Sequence, residues 1–76
     1  MGRLDAGVTL HIHENTTHNE REEYRDALLG LDGVMAAAYH DNRPHLMVVV
    51  YDPERSRSSD FINKANERGL HVELIS

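Results

Sequence analysis

Apolar and polar residues alternate strictly over 8–13, with Val8, Leu10 and Ile12 on one side and Thr9, His11 and His13 on the other, which predicts a half-buried strand. Glu14-Asn15-Thr16-Thr17 breaks the alternation. Thr17, with Glu20 three residues on, forms a capping box whose side chains satisfy the orphan amides of a helix start. The helix expected from about His18 carries Tyr24, Ala27, Leu28 and Leu31 on one stripe, with Glu20, Glu22 and Glu23 near its positive end. Asp32-Gly33 supplies its stop. The segment 34–40 is weakly patterned, because three alanines favour a helix while Val34, Ala37 and Tyr39 offer a core face. It is read as a strand because a turn cluster, Asp41-Asn42-Arg43-Pro44, joins it to Leu46-Met47-Val48-Val49-Val50-Tyr51, the clearest strand in the chain. Asp52-Pro53-Glu54 stops that strand. Ser56 to Ser59 offer capping hydroxyls for a second helix with Phe61, Ile62 and Ala65 inward, and Gly69 ends it. A last strand over 70–75 turns Leu70, Val72 and Leu74 to one side.

Composition narrows the class. Seventy-six residues, 39% hydrophobic and 28% charged, suit one small globular domain, expected to span 1–76. The net charge of −5, with basic residues scattered, argues against nucleic acid as a partner. No apolar run approaches the roughly 20 residues that cross a bilayer, and residues 1–6 show neither an apolar leader nor a lipidation signal, so no membrane partner and a cytoplasmic location are expected. There is no cysteine, which removes disulfides, thiolate metal sites and thiol nucleophiles together. Six histidines remain as the compositional oddity, and imidazole is where unusual chemistry is expected.

Strand, helix, strand, strand, helix, strand is the ferredoxin-like βαββαβ pattern. Two right-handed crossovers place both helices on one face of a four-stranded antiparallel sheet of order 4-1-3-2, an α+β fold. Leu31-Asp32-Gly33-Val34, Met47-x-Val49-x-Tyr51-Asp52-Pro53-Glu54, Phe61-Ile62 and Gly69-Leu70-His71-Val72-Glu73, at these separations, resemble the heavy-metal-associated, copper-chaperone-like domain family. The resemblance runs from Val8 to Leu74. It implies that fold, and it implies a soft-metal site on an M-x-C-x-x-C loop after the first strand. This chain departs from the family there: the two cysteine positions fall on Thr17 and Glu20 and the methionine position on Asn15. The family's ligands do not carry over.

Histidine is the alternative. With Leu10 and Ile12 facing the helices, His11 and His13 project from the open face of the sheet about 7 Å apart, and His71 is expected to join them from the neighbouring strand. Three imidazoles so placed suit zinc, copper or nickel at about 2.0–2.1 Å, with Glu73 as a fourth ligand or as an acceptor that orients a ring. His40 lies on the far edge strand, too distant to share that site. The bland reading is that these residues simply meet water and no metal binds. His18 lies between the two lost cysteine positions, either as a ligand with His13 or as a solvated loop residue.

On the third strand Leu46, Val48 and Val50 line the same open face beside Ala36 and Ala38, an apolar patch that a homodimer or a partner protein would bury. No arrangement supports catalysis, so an enzyme is not expected. The leading expectation is a small metal-binding or metal-handling domain using histidine. The alternative is a metal-independent interaction or regulatory domain that docks or dimerises through the open face. A small-ligand sensor follows only from analogy with other ferredoxin-like modules.

Overall fold

In the computed structural model, which describes residues 5–75, the elements run β1 (Ala6–Ile12), α1 (His18–Leu29), β2 (Val34–Ala38), β3 (Leu46–Tyr51), α2 (Ser58–Asn66) and β4 (Val72–Leu74). Residues 1–4, on which the expected lack of a leader partly rests, lie outside the described residues. The sheet has the order β2-β3-β1-β4 with every pairing antiparallel, the expected ferredoxin-like arrangement. Among the described residues no helix is long and apolar enough to cross a membrane.

Period-two burial builds one face of the core. Val8, Leu10 and Ile12 from β1, and Met47 and Val49 from β3, are buried together with Tyr24 and Leu28 of α1, Phe61 and Ala65 of α2, and Leu70 and Val72. The Tyr24 hydroxyl donates to the Phe61 carbonyl at 2.7 Å, joining the two helices by a buried hydrogen bond. Burial also pushes the Tyr24 phenol well above its ordinary pKa, so the hydroxyl stays a donor.

The capping box forms as expected: Glu20 N–H donates to Thr17 Oγ1 at 3.1 Å, and Thr17 N–H donates to Glu20 Oε1 at 2.8 Å. The serine cap of α2 does not. The cap residue is Arg57, whose N–H donates to Asp60 Oδ2 at 2.9 Å, and the Ser56 hydroxyl instead donates to the Asp32 carbonyl, tying the two loops at that end together. Gly69, at φ +76°, lets Leu70 N–H reach back to Ala65 O at 2.9 Å, so α2 ends as expected and Leu70 enters the core before β4 begins.

β2 is shorter than expected and carries a bulge. Val34 pairs with Tyr51 but Ala36 pairs with Val50, leaving Met35 as the extra residue. The phase shift explains why Val34 and Ala37, three apart, both pack on the core. Leu74 pairs with Leu10 on the helix side, yet it is 45% exposed because β4 is the sheet edge.

Candidate metal centre on the open sheet face

The residues opposite the core-facing set share the uncovered face. On β1 that set includes His11, and the ladders place it between Leu46 of β3 and Glu73 of β4. His13 follows β1, its N–H donating to His71 O at 2.8 Å. The side chains converge: His11, His13 and Glu73 each offer one ligand atom, all within 4.8 Å of one another. His13 Nε2 is 3.3 Å from Glu73 Oε1, and the His11 and His13 rings meet edge to face with centroids 5.3 Å apart. His11 Nδ1 is buried and has no hydrogen-bond partner. Leaving such an atom unsatisfied costs about 1–3 kcal/mol, a cost that a bound cation would remove.

His45 adds a wall that the sequence pattern does not place. Its ring stacks on His11, centroids 5.6 Å apart and planes 16° off parallel, and its Nδ1 donates to Ile12 O at 2.6 Å. A carbonyl only accepts, so Nδ1 carries the hydrogen and the lone pair of the neutral ring lies on Nε2. His45 sits there because Ile12 N–H also donates to His45 O at 2.7 Å, extending the β1–β3 ladder past Leu46.

His71 is not in this group. Glu14 holds it at two points, accepting from His71 N–H at 2.8 Å on Oε1 and from Nδ1 at 2.6 Å on Oε2. The hydrogen bond from the ring, then that from the backbone, holds the Glu14 carboxyl down at about 2 against an ordinary 4.5.

At the end of the sheet where the resemblance would put a cysteine loop, the structure is closed by polar contacts. Thr17 and Glu20 are spent on each other in the capping box. Arg21, only 6% exposed, donates from Nη1 to Thr16 O at 2.7 Å and to Thr16 Oγ1 at 2.9 Å, and pairs through Nη2 with Asp41 at 3.1 Å. His18 Nδ1 lies 2.9 Å from the same carboxylate. These contacts, His18 first and then Arg21, hold the Asp41 carboxyl below the usual range. Tyr39 closes the cluster, its hydroxyl donating to Glu22 and its ring 5.7 Å from the Arg21 guanidinium carbon. These oxygen and nitrogen donors do not suit a soft monovalent ion. His40 stands apart, exposed beside a groove of about 380 Å³ that it lines with His18, Glu22, Arg25, Tyr39 and Asp41.

Comparison with solved structures places the architecture. Oxidized MerP from Ralstonia metallidurans CH34 superposes with a TM-score of 0.86 at 15% identity, over 96% of this chain and 100% of that one. A copper binding domain from HMA7, a P-type ATPase, gives 0.82 at 18% identity over 92% and 93%. The CopZ metallochaperone gives 0.80 at 19% over 90% and 100%. The chain shares the fold of these domains, and it contains no cysteine. No family model matches the sequence, and no curated protein is similar to it in sequence. In this cysteine-free heavy-metal-associated fold the loop positions serve helix capping, and the convergent donors lie instead on the open face of the sheet.

Proposed function

We propose that the domain binds and handles a divalent transition metal, Zn(II), Cu(II) or Ni(II), through His11, His13 and Glu73 on the open sheet face, and is not an enzyme. The observation that carries the reading is the convergence of three donors on a face where His11 Nδ1 is buried without a partner. Tetrahedral bonds of about 2.0–2.1 Å set ligand atoms roughly 3.4 Å apart, so a modest contraction of the cluster suffices. Imidazole and carboxylate favour these borderline ions over Cu(I), which prefers thiolate. The names of the structural neighbours, a metallochaperone and a copper binding domain, support a handling role in which the ion passes to or from a partner protein. Isothermal titration with the three ions should reveal one saturable site, and His13→Ala should weaken it by about a hundredfold. Binding no tighter than a lone surface imidazole gives would overturn the proposal.

A second reading is favoured by Val48, 45% exposed on the same face between half-buried Leu46 and Val50 and beside Ala36 and Ala38. Such a patch suits a second copy of this chain, with or without metal. Sedimentation at high concentration should then show a dimer that Val48→Asp converts to monomer, and a monomeric wild type would sink the idea.

A further inference from the structure

His71 stands where a fourth ligand should be, and yet it is turned away. The β1–β4 register pairs His11 with Glu73 and Ile12 with Val72, so the next pair in the ladder, His13 with His71, falls on the open face again. The 2.8 Å bond from His13 N–H to His71 O continues the ladder to that pair. Cross-strand neighbours of this kind have Cβ atoms about 4.5–5.5 Å apart, close enough for two imidazoles to share an ion. The His71 ring is directed at Glu14, the residue after His13, and both carboxylate oxygens are committed to His71.

We propose that Glu14 is a latch that withholds His71 from the metal centre, giving the site an open state with three protein ligands and a closed state with four. The inference rests on the metal reading above. In the open state His11, His13 and Glu73 hold the ion and leave a position free for a donor from another molecule. In the closed state His71 leaves Glu14, swings about its χ1 bond and fills that position with an imidazole nitrogen. A site that opens and closes this way suits cargo that must be released, because closed four-ligand sites retain their ion and open ones exchange it.

The sign of one substitution separates the latch from the commoner role of a carboxylate beside a histidine. An acceptor on the far nitrogen of a bound imidazole orients the ring, and removing it weakens metal binding by about 10- to 100-fold. Removing a latch does the opposite. Glu14→Ala, which deletes both acceptors, should bind Zn(II) about tenfold tighter than wild type, since two charge-assisted hydrogen bonds no longer compete. The double variant Glu14→Ala/His71→Ala should lose that gain, and His71→Ala alone should stay within about twofold of wild type, because the latched ring contributes little.

Zinc titrations of the four proteins, with nitrogen chemical shifts of the histidine rings recorded on each, test this. A new zinc-dependent shift at His71 should appear in Glu14→Ala. If Glu14→Ala fails to give a cooperative thermal transition, Glu14→Gln, which keeps the side-chain volume and removes the charge, should move affinity the same way. Unchanged or weaker binding on loss of the carboxylate, or a gain that survives His71→Ala, would overturn the latch. Zinc binding that is present in wild type and lost in His13→Ala, without a gain on loss of Glu14, would defeat the latch alone. No binding by any variant would defeat the metal reading with it.

Discussion

Phe61→Ala is expected to remove about 3–5 kcal/mol of stability, the largest single loss in the molecule. Phe61 is fully buried, meets the Tyr51 ring edge to face at a centroid distance of 4.9 Å, and lies in the turn of α2 whose carbonyl receives the Tyr24 hydroxyl. Few large side chains share this core. Tyr24, Leu10, Ile12, Leu28, Met47 and Val49 are the other large fully buried ones among the described residues, and none is placed to fill the space of a lost ring without shifting a strand or α1. A domain of this size has a total stability of about 4–11 kcal/mol, so the variant should be largely unfolded or lose most of its urea midpoint, followed by circular dichroism. A loss under about 1 kcal/mol would mean that the core repacks freely around the cavity.

Gly33→Ala should cost about 3 kcal/mol, from two independent sources. At φ +96° the residue occupies the left-handed region, where a Cβ costs about 1–2 kcal/mol. A methyl group there would also lie 2.6 Å from Arg55 Cβ and 3.2 Å from the Arg55 carbonyl carbon, so the loop after β3 must move. That loop is anchored by Asp52 N–H donating to Gly33 O at 2.8 Å, and by the Ser56 hydroxyl on Asp32 O. Gly69 is the internal control. It has a similar φ of +76°, but a methyl group on it would meet nothing within 4 Å, so Gly69→Ala should cost only about 1 kcal/mol. Paired urea unfolding of the two variants measures the difference. Equal losses would show that backbone conformation, not the approach of the loop, sets the cost at Gly33.

What is legible in the sequence is whatever depends on local spacing. The alternations in β1 and β3, the Thr17–Glu20 box and the Gly69 stop report contacts between near neighbours, and the fold order follows from them, whereas α1 ends at Leu29 with Gly30 as its cap, so Leu31 and Asp32-Gly33 lie in the turn beyond it. β2 is faint because its period breaks at Met35, and a bulge leaves no mark in composition. Ser56 suggests the wrong cap because its best acceptor, Asp32 O, lies 24 residues away along the chain. The site divides along the same line. His11 and His13 share a face by their own period, and Glu73 follows from pairing. His45 enters through the extension of β1–β3 pairing past the hairpin, and His71 is drawn off by Glu14, 57 residues away in sequence. Buried Arg21 is hidden for a similar reason: its polar helix position becomes interior only once Thr16 and Asp41 close over it.

The strand order has a consequence for how the protein avoids self-association through its backbone. Leu46–Tyr51 is six residues without charge, proline or glycine, rich in valine, and so is the segment of this chain best suited to stack into a cross-β fibril. It lies between β1 and β2, with its amides and carbonyls taken on both sides. The exposed rims are poorer templates, since β2 is interrupted by its bulge and β4 offers three residues. The fold thus keeps its stickiest segment from meeting its own copies for as long as the outer strands hold, and fraying at either rim, more than loss of the helices, is the event that would expose it.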